Sequence, residues 1–182
     1  MNGDLLSDIP EMRKRARAHI ETGAVTPSYR ADRKVVLKLL NEALATELVC
    51  VLRYKRHYFM SAGLASHPVA AEFKSHAAEE LAHADLIATR IIQLGGEPNF
   101  NPEGMAARSH AEYIEGRGLL DMIKEDLIAE RIAVESYTEA IHYLGDNDPT
   151  TRRMLEDILA KEEEHAEELA NLLVRLDVKS VT

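Results

Sequence analysis

Apolar residues recur every three or four positions through four long stretches of the chain, the spacing of one face of an α-helix. The first stripe is Leu37, Leu40, Leu44, Val51, Tyr54 and Tyr58, and the second is Phe73, Ala77, Ala84, Ile87, Ile91 and Leu94. The third runs through Ile123, Leu127, Val134, Tyr137, Ile141 and Leu144, and the fourth through Leu155, Ile158, Leu159, Leu169, Leu173 and Leu176. Asp32 can cap a helix that runs to about Ser61 and stops at Gly63; His67 and Pro68 open the next, which ends at Gly95–Gly96. A third helix is expected over Leu119–Leu144 with Gly145 as its C-cap, and a fourth from Asp148 and Pro149 to about Asp177. Each spans roughly 26–30 residues, or about 40 Å. The stretch EPNFNPEGMAARSHAEYIEGRG is the one long loop. Short, long, short connections between matched helices predict an all-α fold, a four-helix bundle with one long crossover. Ahead of it, Asp8 to Thr22 predicts an extra short N-terminal helix, with Pro10 in its first turn and Gly23 at its end. The expected plan is residues 1–31 for this helix and a linker, 32–177 for the bundle and 178–182 for a tail.

What interrupts the stripes carries the chemistry. Glu47 completes the first, Glu80 and His83 occupy the middle of the second, Glu130 that of the third, and Glu162 with His165 that of the fourth. Burying one unpaired carboxylate costs several kcal/mol, and four facing one another repel. No Lys or Arg lies on these stripes to compensate. Two divalent ions would supply +4 against −4, and two histidines can each add a neutral nitrogen ligand. The six residues Glu47, Glu80, His83, Glu130, Glu162 and His165 are therefore expected to hold a di-metal centre.

A Glu-x-x-His pair alone is a weak signal, because 21 Glu and 8 His in 182 residues give about one by chance, and the chain has three. Position selects among them. Glu139 lies nine residues from Glu130, half a turn round the helix, so Glu139 and His142 are assigned to solvent. The other two pairs belong to an internal repeat: Glu47 and Tyr54 are seven apart with Glu80 following Glu47 by 33, and Glu130 and Tyr137 are seven apart with Glu162 following Glu130 by 32. Chance rarely reproduces such a constellation twice, and a pseudo-twofold bundle would bring the four helices' ligands to one level.

Composition narrows the partners. At 46% hydrophobic with nine Gly and six Pro, the chain is neither disordered nor low-complexity, and its length suits one core. A net charge of −9 turns expectation away from nucleic acid and toward cations. Cys50, the single cysteine, excludes an internal disulfide or thiolate cluster and reads as a small buried hydrophobe. No apolar run approaches the roughly 18 residues of a membrane span, and the N-terminus lacks an apolar signal core. No membrane partner and a cytoplasmic location are expected.

Taken together, Glu47 with Tyr54, the run Glu80-Leu81-Ala82-His83, Glu130 in DLIAERIAVESY, and Glu162-Glu163-Glu164-His165 resemble the ferritin-like di-iron superfamily, most of all the bacterioferritins, over residues 32–176. The resemblance implies a ferritin-like four-helix bundle and two iron ions as cofactors, with Mn or Zn able to bind in vitro. It implies Glu80 and Glu162 as bridging ligands, Glu47 and Glu130 as terminal ones, and one histidine, His83 or His165, on each iron. The implied activity is oxidation of Fe²⁺ by O₂ or H₂O₂, a ferroxidase serving iron storage or detoxification. A rubrerythrin-like di-iron peroxidase of oxidative-stress defence is the near alternative, and a metal-stabilised bundle without turnover is another.

Departures from these families sharpen the expectation. Haem-binding bacterioferritins carry a Met directly after the bridging Glu; Leu81 stands here, so no haem is expected. Rubrerythrins typically add a Glu where this chain has Ala133, and one Cys cannot build their Cys-rich module. The short tail after His165 leaves no room for the small fifth helix of cage ferritins, so a homodimer or small homo-oligomer is expected rather than a 24-subunit shell. Tyr54 and Tyr137, one heptad from Glu47 and Glu130, are expected to hydrogen-bond a ligand carboxylate or donate an electron. His76, one turn before Glu80, offers an accessory iron ligand, but surface exposure is the preferred reading. Glu163, Glu164, Glu167 and Glu168 read as a solvated face. The basic cluster Arg13, Lys14, Arg15 and Arg17 is expected to pack on a neighbouring subunit or the bundle rather than on DNA.

Overall fold

In the computed structural model, which describes residues 8–61 and 67–180, the chain enters through a nine-residue helix, α1 (Ile9–Arg17), with Pro10 in its first turn. It does not continue helically to Thr22 as expected. The backbone breaks at His19, which takes φ 54°, and resumes as a 3-10 turn over Ile20–Thr22 closed by the Thr22 hydroxyl donating to the His19 carbonyl at 2.7 Å. No residue of α1 is buried, and a helix this short has no packing to extend it.

The four long helices follow. In α2 (Arg33–Met60) the Asp32 carboxylate caps the start by accepting from the Lys34 and Val35 amides at 2.9 and 3.3 Å. The expected stop at Gly63 lies outside the described residues. Helix α3 (His67–Gln93) is closed by Gly95 at φ 72° and by the Gly96 amide donating to the Ile91 carbonyl at 2.9 Å. A single turn, α4 (Met105–Arg108), interrupts the crossover that was expected to be loop throughout. After α5 (Leu119–Leu144), Gly145 turns the chain at φ 46°. Asp148 then caps α6 (Pro149–Ser180), accepting from the Thr151 amide at 2.9 Å and hydroxyl at 2.6 Å. Helix α6 extends past Asp177 into the expected tail.

Helix α2 packs along α3 and α5 along α6, and α2–α5 and α3–α6 contacts join the two hairpins into the predicted bundle. The crossover is stitched to α2 by polar side chains. Asn41 donates to the Glu97 carbonyl and accepts from the Asn99 amide, Thr46 accepts from the His110 amide, and Arg53 donates to the Glu112 carbonyl at 2.8 Å. Among the described residues no helix is long and apolar enough to cross a membrane.

The core is divided. One apolar cluster holds Leu40 and Leu44 of α2, Ile87 and Ile91 of α3, Leu144 of α5 and Leu155 of α6. The other holds Tyr54, Phe73, Ala77, Ile123 and Leu169. On every long helix the residues between these two clusters are the ones that interrupt the stripes, so a polar layer sits between apolar halves.

Candidate metal centre

Helical period alone sets the level of each side chain: Glu47 follows Leu44 by three residues, and Glu80 and Glu162 each precede a histidine by three, on the same face. The structure brings all six expected residues together, every one of them 6% exposed or less. They form two four-donor groups, Glu47–Glu80–His83–Glu162 and Glu80–Glu130–Glu162–His165, with the donor atoms of each group within 4.8 Å of one another. Glu80 and Glu162 belong to both groups, the positions a bridging carboxylate needs. Glu139 and His142 are exposed, as their face requires.

The donor atoms face one another without satisfying one another. His83 Nδ1 lies 2.9 Å from Glu162 Oε1 and 3.5 Å from Glu47 Oε2; His165 Nδ1 lies 3.4 Å from Glu80 Oε1 and 3.6 Å from Glu162 Oε2. None of these contacts has hydrogen-bond alignment, and Glu47 Oε2, Glu80 Oε1, both Glu162 oxygens, His83 Nδ1 and His165 Nδ1 are buried without a hydrogen-bond partner. At roughly 1–3 kcal/mol each, six such atoms would cost on the order of 10 kcal/mol, comparable with the whole stability of a domain. Their donor chemistry, carboxylate oxygen with imidazole nitrogen, fits first-row divalent ions.

The outer atoms are held firmly. The Tyr54 hydroxyl donates to Glu130 Oε1 and the Tyr137 hydroxyl to Glu47 Oε1, so each tyrosine secures the carboxylate contributed by the other half of the bundle. Glu79 accepts from His165 Nε2 at 2.9 Å, which fixes the tautomer that leaves Nδ1 facing the cluster.

Burial, mutual repulsion and contacts within the cluster move its carboxyl groups in opposite directions. Burial and the Glu80 charge push the Glu47 carboxyl up to about 8, and burial with the Glu80 and Glu162 charges holds Glu130 well above the carboxylate range. Burial opposes ionisation of Glu80 and Glu162 too, but contacts with Glu47, Glu130 and the two histidines outweigh it and both lie below the usual value. Burial disfavours the imidazolium forms, yet the surrounding carboxylates raise His83 to about 12 and His165 to about 10.

His76 corrects the sequence reading. It is 1% exposed rather than a surface residue, with Nδ1 3.2 Å from the Tyr54 hydroxyl, Nε2 2.9 Å from Glu168, and its ring stacked on His165 at 4.1 Å between centroids. Glu168 thus leaves the otherwise solvated acidic run to meet it. Also missed were two buried ion pairs away from the centre. Arg53 Nε donates to Asp126 at 2.8 Å beside His57, and Arg90 donates to Asp148 at 2.9 Å with Tyr29 on the same carboxylate. Cys50 is buried, as expected.

A bundle of this topology with a carboxylate–histidine layer at mid-height defines a ferritin-like protein. A family model for the ferritin-like domain, named Ferritin, matches residues 37–178, and the chain belongs to that family. It is 31% identical over 143 residues to a bacterioferritin of Mycobacterium avium, covering 78% of this chain and 86% of that one. The bacterioferritin-related protein of Bacteroides fragilis, a dodecameric thioferritin, superposes with a TM-score of 0.79 at 30% identity, covering 83% of this chain and 91% of that one. Desulfovibrio desulfuricans bacterioferritin, which has a diiron site, superposes with a TM-score of 0.71 at 26% identity over 80% and 81% of the two chains.

Proposed function

We propose that this chain is a di-iron ferroxidase of the bacterioferritin type. The observation that carries the reading is the pair of four-donor groups sharing Glu80 and Glu162, with six buried donor atoms that no protein group satisfies. Glu47 and His83 would serve one iron, Glu130 and His165 the other, and Glu80 and Glu162 both. Two irons held this way supply one electron each, so O₂ or H₂O₂ can be reduced by two electrons at once. Tyr54 and Tyr137 hold the terminal carboxylates in place, and Glu79 holds His165. The apolar clusters above and below the layer keep water away from it. A homo-oligomer, as in the dodecameric relative, accords with the reading; light scattering of the 20.3 kDa chain distinguishes a dimer near 40 kDa from a dodecamer near 240 kDa.

The test is Fe²⁺ oxidation. Metal-free protein given two Fe²⁺ per chain and then air should oxidise them far faster than protein-free buffer, while Glu80→Ala should match the buffer. A wild-type rate equal to that of buffer would refute the ferroxidase reading.

A further inference from the structure

The internal repeat that brings the two sets of ligands together stops short of the residues that support them. Glu162 and His165 stand 82 residues after Glu80 and His83, so each position on α3 has a counterpart on α6 at that spacing. The tyrosines obey the repeat as well, Tyr54 donating to Glu130 and Tyr137 to Glu47. Beyond these groups the two halves differ.

His165 has a carboxylate behind it, since Glu79 of α3 accepts from its Nε2 at 2.9 Å. The counterpart of Glu79 on α6 is Lys161, whose ammonium can only donate and is paired with Glu164. Among the described residues no protein group accepts from His83 Nε2, and the His83 side chain is 8% exposed against 1% for His165. The terminal carboxylates differ in the same sense. The Tyr54 hydroxyl that holds Glu130 lies 3.2 Å from His76 Nδ1, and His76 Nε2 is tied in turn to Glu168 at 2.9 Å. The counterpart of His76 is Ile158, buried and without a polar side-chain atom, so Tyr137 has no such backing. A partner behind a liganding imidazole or carboxylate fixes its orientation, and losing one typically weakens metal binding about 10- to 100-fold. Both one-sided supports therefore favour the same position.

We propose that the two metal positions are inequivalent: the first ion occupies the Glu130–His165 position, with Glu79 and His76 as positioning residues, and the Glu47–His83 position is weaker and fills second. The inference deepens the two-metal reading and rests on it. The ion beside His83 is then the first to leave.

The test titrates metal-free protein with Co²⁺ in the absence of O₂, so that binding is read apart from turnover. Free Co²⁺ is set by a chelator buffer, and bound ions are counted by equilibrium dialysis with elemental analysis. In the wild type the first ion should bind on the order of tenfold more tightly than the second. Glu79→Ala should weaken the first step on the order of tenfold, and Glu79→Gln, which keeps an oxygen acceptor without the charge, should restore most of it. His83→Ala should keep the first step, whereas His165→Ala should lose it. In an equivalent pair the intact position would take the first ion in every variant. A single wild-type step, a first step unchanged in Glu79→Ala, or equal first steps in His83→Ala and His165→Ala would therefore overturn the proposal. A Glu79→Gln variant as weak as Glu79→Ala would overturn the positioning role of Glu79. Fewer than two ions per wild-type chain at saturation would instead refute the two-metal centre, which separates the two failures.

Discussion

Binding of two divalent ions should expel at least three protons near neutral pH. In the metal-free protein at pH 7, Glu47, raised to about 8, is neutral, and burial pushes Glu130 in the same direction. His83 and His165, raised to about 12 and about 10, are charged, while Glu80 and Glu162 are ionised. Metal binding needs both terminal carboxylates ionised and both Nδ1 atoms bare, so the Glu47 proton and two imidazolium protons must leave. By linkage, the overall constant for two ions should then rise on the order of 10³-fold or more per pH unit around pH 7. Above about pH 8 the Glu47 proton is already gone in the metal-free state, so release should fall by about one. A pH-stat titration with Zn²⁺, which adds no redox step, reads the number directly. Release of one proton or fewer would refute the view that protons stand in for metal as the counter-charge of this site.

Three further outcomes follow from the same contacts. Because Glu47 and Glu130 take up protons on folding, their stabilisation is complete below the ordinary carboxyl value and is lost as pH rises through about 8 for Glu47. The melting temperature of the metal-free protein should therefore fall between about pH 6 and pH 9, and that of the Zn²⁺-loaded protein should not; a flat metal-free profile in thermal denaturation would contradict this. Tyr137→Phe removes the donor to Glu47 Oε1 and should weaken Zn²⁺ binding about 10- to 100-fold in a chelator-competition titration, with unchanged affinity as the contrary result. Asp148→Ala strips the α6 cap and leaves the largely buried Arg90 uncompensated, so chemical denaturation should show a loss of about 3–5 kcal/mol, and a loss under 1 kcal/mol would refute the role given to the pair.

The carboxylate–histidine layer was legible in the sequence because a helix converts spacing into position. Once Glu47, Glu80, Glu130 and Glu162 were seen to interrupt apolar stripes, the period of 3.6 placed them on inner faces, and the repeat placed them at one height. The helix bounds were legible for the same kind of reason, since Asp32, Gly95, Gly145 and Asp148 act on their own backbone. His76 was not legible. It sits at the margin of its stripe, and its burial is decided by Tyr54 and Glu168, which are 22 and 92 residues away in the chain. The pairing of Arg53 with Asp126 is hidden likewise, because a buried Arg is recognised only through its partner, here 73 residues on. The break at His19 was missed because α1 has local helix signals but no buried face to extend it.

Metal content of the purified chain tests the central claim most directly. After dialysis to remove weakly held ions, elemental analysis should find two transition-metal ions per wild-type chain, two in Glu139→Ala, and almost none in Glu80→Ala, because Glu80 belongs to both donor groups. Equal loss of metal from Glu139→Ala and Glu80→Ala, or two ions retained by Glu80→Ala, would contradict the assignment of the centre.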